Sequence, residues 1–149
     1  MASNPASYIA HHLLDAAASM VDGVDVVHLA PGNTVAWDND CGQLYVQMRR
    51  TDPTVGKTGP CGVASHRLRF VVGVLRCVHT SHDDGTPPSA AEMIADEDMI
   101  LDDWYTLLHA IVDHPPEQTR VHLVSWEALG PAGGMAGGEW TVDYSVVHC

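Results

Sequence analysis

Four stretches of the chain alternate residue by residue between two kinds of side chain, and a period of two dictates strands before any other reading is attempted. From Gln43 onward, Leu44, Val46 and Met48 face one way and Tyr45, Gln47 and Arg49 the other. "HRLRFVVGVLRCVH" sets Leu68, Phe70, Val72 and Val74 against Arg67, Arg69, Val71, Gly73 and Leu75. It predicts a strand of about 13 residues, roughly 43 Å long, which belongs at the centre of a sheet. "TRVHLVSWEAL" and "EWTVDYSVVHC" add two more strands towards the end.

Two segments carry the other period. Asn4-Pro5 reads as an N-cap with proline at the first helical position, and Ile9, Leu13, Ala17 and Met20 recur at helical spacing until Gly23. His11 and His12 fall on adjacent faces of this helix and are expected in solvent. Ser89-Ala90-Ala91-Glu92 is a capping box, so a second helix is expected from there to about His114, ahead of Pro115-Pro116. Met93, Ile100, Trp104, Leu107, Leu108 and Ile111 form its expected buried stripe, with Glu92, Asp96, Asp98, Asp102 and Asp103 on the opposite arc. Glu97 projects into the apolar arc; it either passes the sheet edge or meets an arginine from the strand face, and the arginine is favoured.

The remaining segments read as connections. Residues 24–42, with turns at Pro31-Gly32 and Asn39-Asp40, predict a connecting segment or a short strand. "RRTDPTVGKTGPCG" predicts a long loop, and "GPAGGMAGG" a flexible one between the last two strands. The expected order is helix, strand, strand, helix, strand, strand. That order predicts one α+β domain over residues 1–149: a mixed or antiparallel sheet of about four or five strands, two helices packed on one face, and long loops.

Composition narrows the function. The chain has 149 residues, 46% of them hydrophobic and 17% charged, which suits one folded domain. No apolar run reaches the roughly 18 residues of a membrane span, and the absence of a basic leader predicts a cytoplasmic product without a cleaved signal peptide. A formal charge of -12 disfavours sequence-specific DNA binding, which needs cations to displace counterions. The charge is also segregated. Residues 49–76 hold Arg49, Arg50, Lys57, Arg67, Arg69 and Arg76 against Asp52 alone, whereas residues 77–119 hold acids and no base. Such patches either pair within one subunit or attract copies head to tail.

The constellations that could carry chemistry are incomplete. The glycines at Gly133 to Gly138 lack the Lys-Ser/Thr of a phosphate-binding loop, and a strand follows where a helix is required. They read as slack in the chain. "CVHTSHDD" gathers Cys77, His79, His82, Asp83 and Asp84, with Cys77 and His79 on the same side of a strand, but no second ligand pair completes a zinc set. No serine sits on a nucleophile elbow, and the helical carboxylates read as a solvated face. The four cysteines, Cys41, Cys61, Cys77 and Cys149, contain no CxxC and are expected as reduced, buried thiols, with a disulfide open to them once in a particle. No catalytic residue, metal ligand or cofactor is expected.

"CGQLYVQM", the loop ending "GPCG", "HRLRFVVGVLRC", the "DDGTPP" turn before a helix, and "LGPAGGMAGGEWTVDYSV" together resemble the tail terminator proteins of long-tailed (siphovirus) bacteriophages, especially those of actinobacterial hosts. The resemblance spans roughly Trp37 to Val147. It implies a virion protein at the head-proximal end of the tail, a homo-hexameric ring that caps the tube, ends its polymerisation and joins the head-tail connector. Its implied partners are the major tail tube protein and a neck protein, with DNA passing through the lumen without specific binding. It carries no active site. Contact candidates are Arg49, Arg50, Lys57, Arg67, Arg69, Asp98, Asp102, Asp103, Gly133, Gly134, Gly137 and Gly138, on the charged segments and in the loops at Arg49 to Gly62 and Gly130 to Gly138. The alternatives are another neck protein, such as a head-closure or connector subunit, an acidic protein-binding module, and a metal-dependent enzyme using Cys77 to Asp84.

Overall fold

The computed structural model of the protein describes residues 4–32, 41–55 and 64–147. Its elements run α1 (Pro5–Met20), β1 (Val26–Leu29), β2 (Gln43–Val55), β3 (Ala64–Cys77), α2 (Ala90–Val112), β4 (Thr119–Ala132) and β5 (Met135–Val147). They form an α+β fold with one mixed five-stranded sheet in the order β1-β2-β3-β5-β4. β3 is central, as its length and apolar content require. The short strand β1 comes from the segment whose turns made it ambiguous, and its parallel pairing with β2 makes the sheet mixed.

Both helices start where local chemistry starts them. The Asn4 side chain accepts a hydrogen bond from the Ser7 N–H at 3.2 Å ahead of Pro5. The Ser89 hydroxyl accepts from the Glu92 N–H at 3.2 Å, and the Glu92 carboxylate accepts from the Ser89 N–H at 3.1 Å. The helices cover one face of the sheet, α1 over β1, β2 and β3 and α2 over β3, β5 and β4. Between them and the sheet lie Ile9 and Leu13 of α1, Leu107 and Ile111 of α2, and Leu44, Phe70, Val72, Val142 and Tyr144 of the strands, all buried. Phe70 meets Tyr144 edge-on at 5.9 Å, and Trp140 lies between Trp104 and Trp126, donating its indole N–H to the Trp104 carbonyl at 3.0 Å.

Several expectations give way to packing. The stretch from Arg49 is not a loop throughout: β2 continues to Val55, with a bulge at Arg49 that lets Arg50, Thr51 and Asp52 pair with Arg69, Leu68 and Arg67. Residues 56–62, including Lys57 and Cys61, lie outside the described residues, as does Cys149. The glycine stretch is not slack. Gly133 and Gly134, at φ +57° and +76°, form the two-residue turn of the β4–β5 hairpin, and the Gly134 carbonyl accepts from the Val78 N–H at 2.9 Å. Gly137 and Gly138 are buried within β5, where a Cβ would strike the Val74 carbonyl and the Trp126 ring respectively.

The buried stripe of α2 is rotated from the expected one. It consists of Ile100, Asp103, Leu107, Ala110 and Ile111, with Trp104 and Leu108 partly buried and Met93 exposed. Asp103 therefore leaves the solvated arc. An arginine does come from the strand face, but it is Arg76 and it meets Asp103, while Glu97 is exposed. The expectation of reduced thiols fails for one pair: Cys41 and Cys77 form a disulfide, because the β2–β3 register that sets Gln43 opposite Leu75 carries the flanking Cys41 and Cys77 across from each other.

Candidate functional site

Cross-strand partners project to the same side of a sheet, so the register assigns every strand residue to a face. On the face turned away from the helices, Arg50 lies opposite Arg69, and Asp52 opposite Arg67. Ser145 lies opposite Arg67 on one side and Arg120 on the other, and Asp143 between Arg69 and His122 in the same way. Arg49 joins them through Glu139, at 3.5 Å. The basic side chains from residues 49–69 that can be placed are thus gathered on one surface, together with Arg120, which is remote in sequence. Arg76 alone points to the helix side, where it is buried.

Carboxylates neutralise part of this surface. Arg69 holds Asp143 by two hydrogen bonds of 2.8 and 2.9 Å, and this pairing keeps the Asp143 carboxyl below the usual carboxylate range. Arg50 lies 2.8 Å from Asp52. Tyr45 donates its hydroxyl to Glu139 at 2.6 Å across the bare backbone of Gly73, and burial, followed by that hydrogen bond, pushes the phenol upward. Arg67 and Arg120 are exposed and have no ion pair among the described residues. Glu127, opposite Glu139 in the register, is an exposed carboxylate on the same face, so the surplus positive charge is gathered at the Arg67 and Arg120 end.

The helix side carries the opposite sign. Asp15 on α1 and Glu97, Asp98 and Asp102 on α2 are exposed, whereas Asp103 is 6% exposed and locked to Arg76 by two hydrogen bonds of 2.9 and 2.8 Å. A third Arg76 bond reaches the Gly23 carbonyl at 2.8 Å and ties the end of α1 to the same point. The choice between pairing inside the subunit and leaving a side chain open differs from residue to residue. Arg49, Arg50, Arg69, Arg76 and Asp103 make ion pairs within the chain; Arg67, Arg120, Asp98 and Asp102 make none among the described residues, although the charge of Arg67 also helps to hold the Asp143 carboxyl down.

Of the contact candidates, Gly133 and Gly134 stand at a surface turn, Gly137 and Gly138 are enclosed by their own chain, and Lys57 falls outside the described residues. Arg120 was not among the candidates. The only sequence signal for it was a base in the same alternating phase as His122, and its neighbours become visible only with the register.

The histidine-rich turn after β3 is organised differently from a metal centre. Cys77 is consumed by its disulfide. His79 lies past the end of β3, with Nδ1 2.9 Å from Asp96 and its backbone N–H donating to the same carboxylate at 2.8 Å. His82 Nε2 lies 3.0 Å from Glu92. These contacts fasten the turn to the first turns of α2. Among the described residues no group of three or more His, Cys, Asp or Glu is arranged to hold a metal ion. Beside the turn, a shallow groove of about 510 Å³ runs between Met93 and Ile100 of α2 and the β4–β5 hairpin. On α1, His11 is exposed, whereas His12 Nε2 lies 2.8 Å from the His114 carbonyl and links α1 to the segment that follows α2.

No helix among the described residues is long and apolar enough to cross a membrane. No family model matches the chain, and no curated protein sequence does either.

Proposed function

We propose that this chain is a structural, non-enzymatic subunit of a phage tail: a tail terminator that forms a ring on the head-proximal end of the tail tube, stops its growth and joins it to the neck. The observation that carries the proposal is the separation of charge onto opposite faces of one small domain, with Arg67 and Arg120 behind the sheet and Asp98 and Asp102 on the helix side. Two different, complementary surfaces make a heterologous contact, and such contacts build rings when the rotation between neighbours closes. The resemblance noted in the sequence supplies the place in the virion. The tube protein and a connector protein are the proposed partners above and below the ring, and a net charge of -12 suits a subunit past which DNA moves without being held.

Removing the chain from the phage that encodes it tests the proposal. Tubes that outgrow their regulated length, with heads left unjoined, are the expected result. Tails of normal length attached to heads would contradict it, whatever the chain does in isolation.

A further inference from the structure

We infer that the outer face of α2 is the surface on which the arginine cluster of a second copy docks; the inference rests on the ring reading above and specifies its contact. α2 has an apolar row on the side turned away from the sheet. Ile94, Leu101, Tyr105 and Val112 are 62%, 49%, 57% and 49% exposed. Their spacing of seven, four and seven residues keeps them in one straight row about 27 Å long. The inward side is already satisfied by Ile100, Leu107 and Ile111. Four exposed apolar side chains in one row, with Glu97 and Asp98 set between the first two, make a surface that a partner's side chains can cover.

The flanks of the row select its occupant. Asp98 and Asp102 are exposed along one side of it and Glu97 along the other. Two copies of α2 meeting across a two-fold axis would set these carboxylates against each other, so a second α2 is the wrong partner. The partner needs cations on stems able to cover apolar surface. Arginine supplies both, since its methylenes lie on aliphatic side chains and its guanidinium stacks on an aromatic ring such as Tyr105. Among the described residues the arginines without an ion pair of their own are Arg67 and Arg120, side by side across Ser145 on the open face of the sheet. Helix face and open face lie on opposite sides of the subunit. One copy therefore uses its α2 toward one neighbour and its arginines toward the next.

A charge swap tests the contact. One variant carries Asp98→Arg and Asp102→Arg, the other Arg67→Glu and Arg120→Glu; all four sites are exposed, so circular dichroism is expected to show both folded. Each variant alone faces like charge with like and should self-associate about a hundredfold more weakly than the unaltered chain. Mixed together they restore opposite charges at every contact, and assembly should return. It is read by sedimentation and, on isolated tail tubes, by negative-stain microscopy of the tube ends. Either variant assembling alone as well as the unaltered chain overturns the docking surface and leaves the ring reading standing. Folded variants that stay apart when mixed overturn the pairing of the two surfaces. Failure of the unaltered chain to assemble, in solution and on tubes alike, defeats the ring reading itself.

Discussion

Arg76 and Asp103 are a buried charged pair with a structural task. Their side chains are 11% and 9% exposed, and the guanidinium also holds the Gly23 carbonyl, so one residue of β3 fastens both helices to the sheet. Removing one partner strands the other charge in a site closed to water, which costs about 3–5 kcal/mol, whereas replacing both with apolar residues is close to neutral. Asp103→Ala should lower the urea midpoint sharply, and Arg76→Met combined with Asp103→Leu should recover most of the loss. Equal losses in the single and double variants would show that the pair does not act as a unit. Arg69 and Asp143 make a different prediction, because the Asp143 carboxyl is held below its ordinary value by the Arg69 hydrogen bonds. A depressed folded pKa contributes stability that is present above the unfolded carboxylate value of about 3.9 and is lost as pH falls through the folded one. The stability gap between the unaltered chain and Arg69→Gln should therefore be full at pH 6 and close as the pH drops below about 4. A gap that persists unchanged in acid would assign the effect of Arg69 to packing.

At the scale of elements, the helices and strands were legible because each is written in local chemistry. The capping box at Ser89 and Glu92, the proline after Asn4 and the alternation from Arg67 to Leu75 need no distant partner to be read. What escaped was whatever depends on register. Gly137 and Gly138 looked like slack because the groups that leave no room for a Cβ, the Val74 carbonyl and the Trp126 ring, are brought to them only by the pairing of β5 with β3 and β4. A two-glycine turn between alternating segments was a readable hairpin signal at Gly133-Gly134, hidden by the glycines that follow it. The rotation of α2 that buries Asp103 follows from Arg76, and apolar counting along the helix does not contain it. The disulfide belongs to this class as well. Joining Cys41 to Cys77 across 36 residues restrains the unfolded chain and is worth about 4 kcal/mol in the loop-entropy account. Digestion without reductant should yield the Cys41 and Cys77 peptides joined, and Cys41→Ser should lower unfolding stability by about 2–4 kcal/mol. Recovery of both peptides as free thiols, with no response to reductant, would return the pair to the reduced state that composition alone suggested.

For the whole molecule, the separation of charge is the property that local features add up to. The overall charge and the basic and acidic halves of the chain were visible in the sequence; the folding of those halves onto opposite faces was not, since it requires β2, β3 and β5 to align Arg50, Arg67 and Arg69 in one phase and β4 to bring Arg120 beside them. Most of the basic charge is then spent within the subunit, which narrows the surface available to a neighbour to a few named residues. A front and a back of opposite charge are what the proposed ring contact requires. The direct test is a reconstruction of the head-proximal end of an assembled tail containing this chain. The account predicts a closed ring at the last tube layer in which α2 of every copy faces the open sheet of the next. A different fold at that position, or copies of this chain that touch no other copy anywhere in the particle, would contradict it.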